Sequence, residues 1–381
     1  MHASPTSPPA PVPILRRLAI VCVSLLALFA LGELGTRLWL LDGASDAAFL
    51  RFASIVELQT TNRFPALVVR HSYLGYVLQP GYAKDDNRIN ALGYRGEEFP
   101  RAKPAGELRI ACIGASTTYG GGLSDYREAY PAQLEAELHR RGHAAVRVVN
   151  AGVSGYTSWE SLANYLFRVS DLEPDVVVVY HGVNDIIART VRPPEAYRAD
   201  NSAYRSPSSQ VYWPAPYEYS DLLRTISIAA GWSEPHRNLD RMFGGHGAAF
   251  VPYRSLDDDA LSALLAANPP VYFERNLTRL GRAARDDGVA TLFLTFAHCT
   301  GFPDDPSSSG AAFQRAYAEM NERVRAAAAA SAARCYDLAA DYPDDARLFI
   351  DAVHMTAAGN ARMAGLVADE LERSGWLTDR E

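Results

Sequence analysis

The sequence predicts an α/β fold built on a parallel sheet, and three features carry that prediction. Apolar runs at 109–113, 146–149, 175–180, 290–297 and 334–338 alternate with stretches of helical spacing at 128–141, 159–171, 272–287, 311–332 and 356–373. Strands separated by helices need right-handed crossovers, which put helices on both faces of a parallel sheet. The run Ile110 to Ile113 is continuously apolar, as a strand buried on both faces must be. Finally, small-residue turns follow the first three runs, at the carboxyl ends of strands where open α/β sheets hold their chemistry.

Each element has a local reason. The run 109–113 breaks at Gly114 into a small-residue turn carrying Ser116, then a Gly120-Gly121-Gly122 loop. Beyond it, Leu134 and Leu138 mark one face of the helix at 128–141. Val-Arg-Val-Val at 146–149 and Asp-Val-Val-Val-Val-Tyr at 175–180 are β-branched strands, and the Ala-rich tract Arg325 to Arg334 is a strong helix former. The interval Ile186 to Pro270 breaks the rhythm. It is rich in Tyr, Trp, Pro and Ser (Tyr197, Tyr204, Tyr212-Trp213, Tyr217, Tyr219), with one helical piece from Ser220 to Gly231. Such a long insertion reads as an ordered cap at 186–270; its aromatics suit sugar rings or acyl chains, or only glue the insert down.

Ahead of the sheet the chain divides again. Residues 1–17 begin with a Pro-, Ser- and Ala-rich stretch to Pro13, expected to be disordered and cytoplasmic, and end on Arg16-Arg17. An apolar segment at 18–41 then reads as a transmembrane anchor, with Glu33 and Arg37 spaced to pair and Arg37 and Trp39 near the interface. The two arginines place the N-terminus in the cytoplasm and the rest in the periplasm or outside the cell. The competing reading is a signal peptide cleaved near Ala30-Leu-Gly32, which also exports the domain. Residues 42–108, punctuated by Tyr, Gly and Pro, read as a stalk and N-terminal elaboration packed on the main domain at 109–381.

Composition excludes some classes. The chain has 381 residues, 48% hydrophobic and 21% charged, with net charge −7 and no Lys/Arg block, so nothing marks it for nucleic acid. Cys22, Cys112, Cys299 and Cys335 form no C-x-x-C pair and have no spacing for zinc. A Cys299–Cys335 disulfide remains open. The triglycine lacks the Lys-Ser/Thr that a phosphate cradle needs, and Asp257-Asp258-Asp259 reads as a helix start or a solvated acidic turn.

Four blocks then fall in order: Gly114-Ala-Ser116-Thr, Asn150-Ala-Gly-Val-Ser-Gly155, Gly182-Val-Asn184-Asp185 and Asp351-Ala-Val-His354. A serine hydroxyl is a poor nucleophile until an imidazole takes its proton. Of nine histidines, His354 alone follows an aspartate by three residues in a pre-helical turn, where Asp351 can accept from Nδ1 and leave Nε2 for Ser116. The backbone N–H groups of Ser116 and Gly155 and the amide of Asn184 are candidates for the oxyanion hole. His181 reads first as a hydrogen-bonded structural histidine, with contact to substrate the alternative, and Asp185 as a tie within its own loop.

These blocks resemble the SGNH or GDSL-type hydrolases, over residues from Arg109 to about Trp376 apart from the insert. The resemblance implies a flavodoxin-like three-layer α/β/α sandwich with a five-stranded parallel sheet of order 2-1-3-4-5. It implies Ser116 as nucleophile, Gly155 and Asn184 in the oxyanion hole, His354 as base and Asp351 as its orienting acid. The family's Gly-Asp-Ser is Gly114-Ala-Ser116 here, and the chain resembles a membrane-tethered bacterial branch. Together the readings give an extracytoplasmic serine esterase without metal or organic cofactor, acting on acylated carbohydrate or lipid. The alternatives are acyl transfer to a sugar by the same residues, or a glycan-binding scaffold.

Overall fold

Strand β1, Leu108–Gly114, is buried almost throughout because it lies inside a sheet covered on both faces. The computed structural model describes residues 14–54, 57, 67–205, 215–233, 235 and 247–377. With β2 (Val146–Asn150), β3 (Val176–Tyr180), β4 (Ala290–Leu294) and β5 (Arg334–Tyr336), β1 forms a parallel sheet of order β2-β1-β3-β4-β5. The order is the expected 2-1-3-4-5. In register, Ile110 lies between Val148 and Val176, and Cys112 between Asn150 and Val178.

Flanking helices complete the layers. Tyr130–Arg140 packs against Ala357–Ser374, and Val271–Asp286 against Ala311–Ser331. β1, β3 and β4 share one core with the apolar faces of these helices, including Leu134, Leu138, Leu277, Leu280, Met320 and Met363. Burial of each such side chain contributes about 1.5–3 kcal/mol.

Several boundaries differ from the sequence reading for local reasons. β4 stops at Leu294 rather than 297: the Phe296 N–H donates to the Asn321 side chain at 2.6 Å, and the Phe296 ring stacks on Tyr180. The expected helix 159–171 is regular over Ser158–Asn164, then widens through a π turn at Tyr165–Val169. The insert contains more helix than one piece, with Asp258–Ala267 started by the Asp257 carboxylate accepting from Ala260 N–H at 2.7 Å. Tyr204 of the insert packs with Phe250, and Tyr197 with Tyr272, so these two rings serve packing. The cysteines are free, Cys299 and Cys335 included.

By its contacts the chain forms two units. One comprises described residues 67–205 and 247–377: the sheet domain together with a hairpin, Val68–His71 with Gly75–Leu78, in a small core with Tyr119, Val153 and Tyr156. The other comprises 14–54, 57, 215–233 and 235. It contains the apolar helix Ile14–Leu38, the short helix Asp46–Phe52 and the insert helix Asp221–Ala229. Glu33 does not take the Arg37 partner that its spacing suggested. Its carboxylate accepts from Ser220 Oγ and from the N–H groups of Asp221 and Leu222, because three donors at an open helix start outcompete one exposed side chain. The disorder expected before Pro13 and the ring pair Tyr212-Trp213 lie outside the described residues.

Candidate active site

Ser116 is the first residue of a one-turn helix, Ser116–Tyr119, that starts as β1 ends. Ala115 supplies the bend and makes no side-chain cap. The serine is therefore not the cap of that turn, and its hydroxyl is free to face outward. Gly114 is required beneath it, because a Cβ there would meet Thr118 Oγ1 at 2.1 Å and the Tyr180 carbonyl at 2.6 Å. Behind the turn Gly152 has the same task, since its Cβ would fall 2.4 Å from the Tyr119 nitrogen.

His354 reaches Ser116 from 238 residues away, with Nε2 2.8 Å from Oγ. Its Nδ1 lies 2.8 Å from Asp351 Oδ2. The other carboxylate oxygen, Oδ1, accepts from the N–H of Val353 at 2.9 Å and of His354 at 2.8 Å. Aspartate three residues before histidine thus folds into a closed turn that aims the ring, and both groups remain partly exposed. Partial burial works against the Asp351 charge, but the His354 bond and charge and the two N–H donors outweigh it, holding the carboxyl down at about 2. Gly121 lies over the pair: a Cβ there would stand 2.9 Å from His354 Cδ2 and 3.3 Å from Ser116 Cβ.

Gly155 and Asn184 follow the two strands that neighbour β1. Gly155 has φ of +81°, a conformation that favours glycine. The Asn184 amide donates one N–H to the Tyr156 carbonyl at 2.9 Å, and its second N–H has no protein partner among the described residues. His181 is buried with Nε2 2.7 Å from Ser161 Oγ, and burial drives its pKa down to about 3, so it is a neutral structural group. Asp185 ties a different loop from its own: it accepts from the Ser158 N–H at 3.0 Å and hydroxyl at 2.6 Å, joining the segments after β2 and β3. Burial raises its pKa to about 7 in spite of those bonds.

Other residues serve the site without having been visible as motifs. The Arg95 guanidinium donates to the carbonyls of Tyr119 and Leu123 and stacks on the Tyr119 ring, fastening the glycine loop. Arg205, in the insert, donates to the Gly155 carbonyl and pairs with Glu160 at 2.9 Å, while Asn201 donates to Thr157 Oγ1 at 2.7 Å. Arg95 adjoins the Asn90-Ala-Leu-Gly-Tyr94 block and could have been suspected; Arg205 has no local signal. Among the described residues no cluster of His, Cys, Asp and Glu could hold a metal ion.

The model of the GDSL-like lipase/acylhydrolase family matches residues 112–362, spanning all four blocks. The chain belongs to this family. It is accordingly a serine ester hydrolase. Among solved structures it is similar to a GDSL-like lipase from Bacteroides thetaiotaomicron at 16% identity, covering 71% of this chain and 92% of that one, with a TM-score of 0.40. It is also similar to a lipase/acylhydrolase from Enterococcus faecalis at 17% identity, covering 72% and 99%, with a TM-score of 0.42. An acetyl-xylooligosaccharide esterase from Geobacillus is similar at 19% identity, covering 71% and 96%, with a TM-score of 0.41. A comparison with curated proteins finds no match.

Proposed function

We propose that this family member is a membrane-anchored, extracytoplasmic serine esterase in which Ser116 is the nucleophile, His354 the general base and Asp351 its orienting acid. The observation that carries the reading is the 2.8 Å approach of His354 Nε2 to Ser116 Oγ, with Nδ1 held by an ionised carboxylate. Ser116 Oγ attacks the ester carbonyl as its proton passes to Nε2, and Asp351 keeps the opposite nitrogen protonated. The carbonyl oxygen becomes an oxyanion facing the N–H groups of Ser116 and Gly155 and the second N–H of Asn184. Removing one such donor costs about 3 kcal/mol of transition-state stabilisation. The ester C–O bond breaks as Nε2 returns the proton to the departing alcohol oxygen. Water activated by the same nitrogen then cleaves the acyl-serine, releasing the acid and restoring the hydroxyl. None of these steps calls on a metal or organic cofactor.

The apolar helix Ile14–Leu38, none of whose residues is buried, supports an anchor, and Arg16-Arg17 ahead of its apolar run support a cytoplasmic N-terminus. An envelope location favours O-acetyl and other short acyl esters of carbohydrate as substrate, with lipid esters the competing class. Short-chain p-nitrophenyl esters and O-acetylated glycans, offered to the full chain and to Ser116→Ala, test the reading. We expect acetate release that falls by about 10⁶-fold in the variant. Release that persists without Ser116 would rule out this mechanism.

A further inference from the structure

The helix Asp221–Ala229 is amphipathic the wrong way round for a water-facing element. Its polar residues Asp221, Arg224 and Ser227 are buried, together with Glu218 just before it. The Arg224 guanidinium is fully engaged inside, donating to the carbonyls of Phe52 and Glu218 and to the carboxylates of Asp221 and Glu57. What faces outward is apolar: Leu223 is 38% exposed and Ile226 46%, flanked by Tyr219 at 75% and Trp232 at 78%. In water such a helix would turn its charges out and its leucines in. Polar groups satisfied inside and aliphatic and aromatic groups outside suit a surface that meets lipid.

The position of this helix along the chain indicates which surface. Glu33 of the apolar helix caps its start through Ser220 Oγ and the Asp221 and Leu222 N–H groups, and Gly32 leaves room for Leu222, which a Cβ would meet at 2.9 Å. Leu18, the first residue after Arg16-Arg17, to Glu33 is 15 helical steps, about 22 Å of the ~30 Å hydrocarbon thickness of a bilayer. Glu33 therefore falls in the outermost part of the anchor, about 8 Å short of the level where a span that starts at Leu18 leaves the membrane. Tyr and Trp are the residues that gather at that level.

We propose that the insert helix Asp221–Ala229, with Tyr219 and Trp232, lies in the lipid interface at the outer end of the anchor, its Leu223 and Ile226 side chains dipping into the acyl boundary. This rests on the anchored reading above. The insert then has a membrane-docking task, carried by residues 215–233, separate from the task of Arg205 and Asn201 at the Gly155 loop.

The test uses the full chain with Cys22→Ser and Cys335→Ser, reconstituted in vesicles of phosphatidylcholine and phosphatidylglycerol. Nitroxide labels are placed singly through Leu223→Cys, Ile226→Cys and, as an aqueous reference on the sheet domain, Arg140→Cys. Ester hydrolysis by each labelled protein reports that it is folded. Anchoring is read separately, as flotation with the vesicles after an alkaline wash. Labels at 223 and 226 should be relaxed several-fold more by oxygen than by a water-soluble nickel chelate, and the label at 140 the reverse. Flotation with 223 and 226 as aqueous as 140 would overturn the docking and leave the anchor standing; that is also the result a protein partner on this face would give. A chain that fails to float would remove the anchor and the docking together.

Discussion

The Arg205 guanidinium donates to the carbonyl of Gly155, so a residue of the insert holds the peptide next to a candidate oxyanion donor. The same guanidinium is paired with the buried Glu160 carboxylate, whose other oxygen accepts from the Thr157 N–H and hydroxyl. The loop after β2 is thus fixed from inside the fold.

Arg205→Met should lower kcat by about 10-fold to 100-fold with a smaller change in KM, since a displaced oxyanion donor weakens the transition state more than substrate binding. Tm should fall too, because an unpaired buried Glu160 costs about 3–5 kcal/mol. Arg205→Met combined with Glu160→Gln should recover much of the stability and little of the kcat. Steady-state kinetics with thermal melts separates the two effects, and full recovery of kcat in the pair would show Arg205 to be structural only.

Gly121→Ala should cut kcat by about 100-fold, the cost of a shift of roughly 1 Å in a catalytic group. The added methyl would lie 2.9 Å from His354 Cδ2, and the imidazole must move for it. Little loss of Tm is expected, as the loop is at the surface of the site. Activity equal to the parent would mean that the loop yields instead of the ring.

Asp351 remains ionised down to about pH 2, its pKa lowered from 3.8. Its contribution to stability is therefore complete above pH 3.8 and is lost as pH falls through about 2. The carboxyl should accordingly add nothing to the slope of the acid limb of log kcat/KM above pH 3.8. Asp351→Asn should lower kcat by about 10⁴-fold. A slope approaching two would mean that the carboxyl titrates in the same range.

Asp185 works in the opposite direction. Its folded pKa is raised from 3.8 to about 7, so its favourable contribution is complete below 3.8 and is lost as pH rises through about 7. Asp185→Asn should then gain in stability relative to the parent as pH rises from 5 to 8, measured as the difference in Tm at each pH. A difference that does not change with pH would show that the Asp185 charge is compensated at every pH.

The sequence by itself determined the sheet, its order through the family resemblance, and the blocks that the fold brings to one edge. These were legible because they are local. A continuous apolar run is a buried strand, glycine at a crowded turn has no substitute, and Asp351 and His354 lie within a single turn of chain. Asp257 as a helix start was one of two local readings of its acidic triplet, and the structure takes it. What only the tertiary structure decided depends on contacts between distant segments. Spacing suggested Arg37 as the partner of Glu33, but a helix start 187 residues further on presents three donors to it. Asp185 was expected to tie its own loop, and it binds Ser158 instead. Arg205 acts through a carbonyl 50 residues away, and no pattern along the chain records where a guanidinium will point. Most of all, the hydropathy of Asp221–Ala229 shows an amphipathic helix, but which face is turned inward follows only from where Arg224 finds its partners.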